Sequence, residues 1–246
     1  MKEEIKIAFI SDLHYSPNRT LQCPKRRGEY APALLAAAVG YLNRTARPDL
    51  VLCGGDLIND PAAEDADRLT GTLAEILKLL DMPCAVIRGN HDLPRERFVR
   101  HFPFKPVADA GFVRIVSFDD PELPGYNACR TREDLERMKL AAEGWEGLLF
   151  SFQHTPLLPP GRCVYGYENA PETIARLKQS GYRGTLSGHY HPGMPLAEES
   201  GLQFLVQNAL CEPPFAGTLL RIGGAGIVSA EPFGVGKSCI FAEEIT

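Results

Sequence analysis

Three short apolar runs, at residues 5–10, 50–53 and 84–87, alternate with two longer stretches whose apolar residues recur at helical spacing. Leu34, Leu35, Ala38 and Leu42 share one face of residues 32–44 before Pro48 ends that stretch; Leu69, Leu73, Ile76, Leu77 and Leu80 do the same in residues 63–80. The apolar runs are too short for helices and have the length of buried strands. Strand, helix, strand, helix, strand is the order from which parallel sheets are built, since parallel neighbours need a long crossover. That alternation restricts the chain to an α/β architecture, and sheets of that kind carry their chemistry at the carboxyl ends of the strands.

Further along, residues 112–118 read as a strand and 119–125 are rich in turn formers. Thr131 with Asp134 three residues on predicts a capped helix running to about Ala142. Residues 147–152 form another apolar run, 170–179 a short helix, and 185–187 a brief strand. From Leu202 onward the helical period disappears. Residues 203–206, 218–222, 227–230 and 238–242 predict a second, hairpin-rich sheet packed against the first. Gly236-Lys237-Ser238 ends like a phosphate-binding loop, but the leading glycine should fall at Glu231, so the pattern fails.

Composition fits one folded domain over residues 1–246, with 44% hydrophobic and 23% charged residues near globular averages. A net charge of -5 supplies no general attraction to nucleic acid or to an anionic membrane surface, so neither is expected as a partner. No apolar run has the length of a membrane span, and the acidic opening Met1-Lys2-Glu3-Glu4 does not suit a signal peptide. A cytoplasmic protein is expected. Seven cysteines, none in a C-x-x-C pair, suit reduced and mostly buried thiols better than disulfides or a zinc ribbon.

Against this background, metal-ligand residue types stand after five strand candidates: Asp12 with His14, Asp56, then Asn90 with His91 and Asp92, then His154, and finally His189 with His191. Residues two apart on an extended segment point the same way, so Asp12 and His14 can reach one site. His101 alone of the six histidines lies outside the set and reads as a loop or surface residue. The basic loop holding Arg19, Lys25, Arg26 and Arg27 reads as solvated surface.

These motifs, Asp12-Leu13-His14, Gly55-Asp56, Gly89-Asn90-His91-Asp92, His154 and Gly188-His189-Tyr190-His191, resemble in kind and order those of the calcineurin-like metallophosphoesterases. The resemblance covers residue 5 to about residue 195. It implies a four-layer α/β/β/α sandwich of two mixed sheets flanked by helices. It also implies one metal on Asp12, His14 and His191, a second on Asn90, His154 and His189, and Asp56 bridging them. His91 would protonate the leaving group, with Asp92 orienting its ring. The expected reaction is hydrolysis of a phosphate ester by a metal-bridging hydroxide. Two metals about 3.5 to 4 Å apart neutralise phosphoryl oxygens and acidify a bridging water. Imidazoles, carboxylates and an amide point to Mn, Fe, Zn or Co, without choosing among them.

Subgroup features narrow the expectation. Phosphoprotein phosphatases carry Asp-Arg-Gly after the G-D motif, whereas here Leu57-Ile58-Asn59 follows Asp56. The set looks more like the small bacterial-type phosphodiesterases, which include cyclic-nucleotide enzymes. A small phosphate diester is therefore the expected substrate, with a phosphomonoesterase, a nucleotide pyrophosphatase or a non-catalytic scaffold as alternatives. Tyr15, Arg95, Arg97 and Tyr190 flank the motifs and are candidates for substrate contact. The oligomeric state is left open.

Overall fold

The structure, a computed structural model, describes residues 3–236. Along the chain it runs β1 (Ile5–Ile10), α1 (Ala31–Tyr41), β2 (Leu50–Cys53), α2 (Ala66–Leu77), β3 (Cys84–Val86), α3 (Arg95–His101), β4 (Val107–Ala110) and β5 (Val113–Ser117). A two-stranded ribbon of β6 (Glu122–Leu123) and β7 (Asn127–Ala128) follows, then α4 (Arg132–Ala142), β8 (Leu148–Phe152), α5 (Ala170–Gln179) and β9 (Tyr182–Ser187). The described chain closes with β10 (Met194–Glu199), β11 (Leu202–Val206), β12 (Ala216–Gly223) and β13 (Gly226–Gly234). One sheet has the order β13-β12-β1-β2-β3 and the other β10-β11-β9-β8-β5-β4.

Both sheets are mixed. β1, β2 and β3 run parallel, as do β5, β8, β9 and β11, while β4, β10, β12 and β13 pair antiparallel at the flanks. Because side chains alternate across a strand, each parallel strand feeds two cores. Ile7, Phe9, Leu50 and Leu52 face Phe150, Phe152, Leu186 and Leu205 across the middle of the molecule, with Phe9 and Phe152 meeting edge to face at 5.5 Å. Ala8, Ile10, Val51 and Cys53 point the other way onto Leu34 and Leu35 of α1 and Leu69 and Leu73 of α2. Leu149, Tyr182 and Phe204 pack in turn on Leu135 and Met138 of α4 and Leu177 of α5. The result is the expected sandwich of helices, sheet, sheet and helices. The cap of α4 is also as expected, with Thr131 Oγ1 accepting from the Asp134 amide at 3.1 Å.

Three expectations are corrected. The C-terminal strands do not make a sheet of their own: β12 returns to pair antiparallel with β1, whereas β11 joins β9 in parallel. The second sheet is instead built on the mid-chain strands β5, β8 and β9, and the strand expected at 185–187 starts earlier, at Tyr182. Among the described cysteines, all of them free, only Cys53 and Cys211 are buried and Cys23 is exposed. The strand expected at 238–242 and the rejected phosphate-loop pattern fall at least partly outside the described residues. Among the described residues no helix is long and apolar enough to cross a membrane.

Candidate metal centre

The loops that leave β1, β2, β3, β8 and β9 converge at one end of the sandwich, and they turn sharply as they do so. Asp12, His14, Asp56 and His189 have φ of 58°, 46°, 52° and 67°, half of the eight non-glycine residues with positive φ among those described. Left-handed backbone costs a non-glycine residue roughly 1 to 2 kcal/mol, so it persists only where surrounding bonds enforce it. Here the Asp12 amide donates to Gly55 O at 3.0 Å and the His14 amide to Asp56 O at 2.9 Å. The glycines of two motifs have a steric reason. A Cβ on Gly89 would lie 2.2 Å from Asp56 Oδ1, and one on Gly188 would lie 2.7 Å from Asp12 Oδ2.

The candidate ligands meet as two groups sharing one oxygen. His14 Nε2 stands 3.0 Å from His191 Nε2 and 3.9 Å from Asp12 Oδ1. On the other side His154 Nε2 stands 3.1 Å from His189 Nδ1. Asp56 Oδ2 lies between them, 3.4 Å from His14 Nε2 and 3.3 Å from His154 Nε2. Asn90 Oδ1 is buried without any partner. A third trio, His14, Asp56 and His91, is also close enough to hold an ion.

Hydrogen bonds on the outer ring nitrogens decide which nitrogens carry lone pairs. His154 Nδ1 donates to Gly54 O at 2.7 Å, His189 Nε2 to Tyr126 O at 3.0 Å, and His191 Nδ1 to Glu212 Oε1 at 2.6 Å. Each bond leaves the inner nitrogen as the acceptor, the arrangement metal-binding histidines use. Without a cation the facing rings must share a proton. Burial disfavours charge on both, yet Asp56 raises His154 to about 10, while burial and the neighbouring His154 charge push His189 down to about 3. Burial also opposes protonation of His191, but the bond to Glu212 and the charges of Asp12 and Glu212 together outweigh it and raise that ring. Paired lone pairs, a shared carboxylate oxygen and an orphaned buried amide oxygen fit two cations.

The structure differs from expectation at Asp92. Its carboxylate does not reach the His91 ring. Oδ1 accepts from the Leu57 and Ile58 amides at 2.7 and 3.2 Å, and Oδ2 from the Gly89 amide at 2.9 Å. What holds the ring is Asn59 O, which accepts from His91 Nδ1 at 2.7 Å. Adjacent residues diverge from a turn, so Asp92 fixes the backbone at 57–58 and reaches His91 only through Asn59.

A cleft of about 430 Å³ opens over the centre, bordered by His14, Asp56, Asn90, His91, His189 and His191, and also by Arg26, Glu212, Tyr126, Tyr165 and Tyr190. Sequence reasoning missed Glu212 and placed Arg26 in solvent. Neither sits in a motif; each arrives on a loop whose position depends on distant pairing. Of the four flanking candidates only Tyr190 lines the cleft, since Tyr15 packs against the helix-covered core, Arg97 pairs with Asp67 at 2.5 Å, and Arg95 lies beside Phe104. His101 also turns to Asp67, at 3.3 Å, outside the cluster.

Behind His154 lies a buried polar network. Arg130 forms two bonds to Asp120, at 2.7 and 2.8 Å, stacks over Phe118 at 3.5 Å and reaches Gln153 Oε1 at 3.3 Å. Tyr167 donates to Asp120 Oδ2 at 2.6 Å, and Gln153 Nε2 to Ser187 Oγ at 2.8 Å. The network ties the ends of β8 and β9 together just before His154 and His189.

Comparison with known proteins agrees with this geometry. The family described as calcineurin-like phosphoesterase matches residues 5–193. A Synechococcus protein named a probable cyclic nucleotide phosphodiesterase is 30% identical over 200 residues, 76% of this chain and 73% of that protein. An uncharacterized Schizosaccharomyces pombe protein is 38% identical over 97 residues, 37% of this chain and 19% of that one. A dimetal phosphatase from Danio rerio superposes with a TM-score of 0.72 at 17% identity, covering 94% of this chain and 99% of the other. At that identity the likeness is one of fold.

Proposed function

The chain belongs to the calcineurin-like phosphoesterase family and is a metal-dependent phosphoesterase; from that premise we propose that it hydrolyses small phosphodiesters at the cluster around Asp56. The observation that carries the reading is the meeting of two ligand groups on one carboxylate oxygen beneath an open cleft of about 430 Å³. Asp12, His14 and His191 would hold one ion, Asn90, His154 and His189 the other, and Asp56 both, with Mn, Fe, Zn or Co as the candidate metals. Bound there, the pair supplies Lewis acidity toward phosphoryl oxygens and acidifies water.

The remaining chemistry belongs to the chain. His91 is the proton donor to the departing oxygen: Asn59 O fixes its Nδ1, which leaves Nε2 as the ring nitrogen available to the cleft. Glu212 keeps His191 in the binding tautomer. Asp92 is a positioning residue acting through the backbone before Asn59. Tyr126, Tyr165 and Tyr190 offer a wall for the second ester group, which a monoester lacks; Tyr165 lies 4.7 Å from the His189 ring and 6.4 Å from that of Tyr190. The Synechococcus relative's name makes a cyclic nucleotide the first diester to try. The described cysteines are unpaired, which suits a reducing compartment such as the cytoplasm.

A substrate panel on the protein loaded with each candidate metal tests the reading. It should cover bis(aryl) phosphates, the matching monoesters, cyclic nucleotides and pyrophosphate-linked nucleotides. Faster turnover of diesters is expected; a strong preference for monoesters at neutral pH would overturn the phosphodiesterase assignment while leaving the metal centre standing.

A further inference from the structure

Arg26 enters the cleft from the segment between β1 and α1. Nη1 donates to Asn59 Oδ1 at 2.8 Å and Nε is buried without a partner. Among the described residues no carboxylate comes within ion-pair distance, 4.0 Å, of the guanidinium. Glu212, on the same cleft wall, is already committed to His191 Nδ1 at 2.6 Å. Arg26 borders the cleft together with His14 and His191, on the side of the first ligand group.

The segment is held in place. The Arg26 amide donates to Cys23 O at 2.9 Å and the Arg27 amide to Cys211 O at 2.8 Å. Gly28 packs so tightly that a Cβ there would lie 2.0 Å from His14 O. Asn59 holds Arg26 with its side chain and His91 with its carbonyl, so one residue sets the positions of both groups. A guanidinium on the cleft wall that is held by one hydrogen bond and has no carboxylate within ion-pair distance keeps donors for an anion.

We infer that Arg26 is the phosphoryl clamp of this enzyme, a specificity-determining residue that binds non-bridging phosphate oxygens. The inference rests on the phosphoesterase reading above. Charge determines what the clamp does. A diester carries one negative charge, and adding a hydroxide equivalent in the transition state makes it two, as does inorganic phosphate near neutral pH. Arg26 therefore grips the transition state and a dianionic phosphate more strongly than the bound diester, and its loss falls on kcat more than on KM.

The test is calorimetric binding of inorganic phosphate to the metal-loaded protein, with metal content measured in the same samples, for wild type, Arg26→Gln and Arg26→Lys. Arg26→Gln should retain two metals and bind phosphate roughly 10- to 100-fold more weakly, the loss expected for one charge-assisted contact. Arg26→Lys should recover part of it, because an ammonium keeps the charge but lacks the planar fork. Wild-type phosphate affinity in Arg26→Gln with both metals present would overturn the clamp alone. A wild-type protein that holds two metals yet binds no phosphate and cleaves nothing in the panel would overturn the phosphoesterase reading beneath it. If Arg26→Gln fails to fold, Arg26→Lys decides: phosphate affinity and kcat on a diester both equal to wild type would overturn the clamp.

Discussion

Removing Arg130 from its buried network isolates how the second layer supports the site. Arg130 is 1% exposed, and replacing it by Met keeps much of its length and its contact with Phe118 while deleting both bonds to Asp120 and the one to Gln153. Asp120, whose side chain is 3% exposed, is then left with the Tyr167 hydroxyl as its remaining bond among those described. Breaking a buried pair from one side costs about 3 to 5 kcal/mol, because the other charge stays behind without compensation. For a chain of this size each kcal/mol moves Tm by about 2 to 4 °C, so Arg130→Met should melt roughly 6 to 20 °C lower. Calorimetry at pH 7 under saturating metal is the assay, so that metal loss does not enter. The double variant Asp120→Asn with Arg130→Met removes both charges and should recover much of the difference. A double variant as unstable as the single one, or a single loss below about 1 kcal/mol, would refute the account.

Other expectations concern the centre itself. Glu212→Gln should weaken one of the two metal sites by roughly 10- to 100-fold and leave the other unchanged, visible as two separated phases in a metal titration. His91→Ala should keep both metals and lose on the order of 10² to 10⁴ in rate on an alkyl ester but clearly less on a nitrophenyl ester, whose leaving group needs no proton; equal losses would point to a role in steadying phosphoryl oxygens, and metal loss to a ligand. In the metal-free chain His154 sits at about 10, above its ordinary 6.5, so its proton contributes stability that is fully present below pH 6.5 and disappears as pH rises through about 10. A metal needs the neutral ring, so loading at pH 8 should release a proton, seen as heats that change with the buffer's ionisation enthalpy; buffer-independent heats would contradict this.

What could be read in advance was local. The strand-end motifs are short, and each presents its candidate ligands from a single turn, so the convergence of Asp12, His14, Asp56, Asn90, His154, His189 and His191 on one end of the sandwich was legible. The sheet membership of the C-terminal strands was not. Residues in β11 and β12 carry the same kind of apolar pattern because both sheets are buried on two faces; only pairing across the whole chain sends one to β9 and the other to β1. Arg26 and Glu212 were illegible for a related reason, since their loops reach the cleft only after β1 and β9 are in place. Asp92 misled through its adjacency to His91, because chain neighbours need not be side-chain neighbours.

The left-handed elbows that carry the candidate ligands come from both sheets. His14 leaves the first sheet and His191 the second, 177 residues apart, yet their nitrogens stand 3.0 Å from one another. A cation held by both is a cross-link that closes most of the chain into a single loop. Tying distant points together removes more freedom from the unfolded chain the longer the loop, and a ligand that binds only the native state adds stability in proportion to the logarithm of its excess. Loaded as proposed, the centre would therefore also serve as a clasp between the two halves of the sandwich, tightening as free metal becomes more abundant and loosening under chelation.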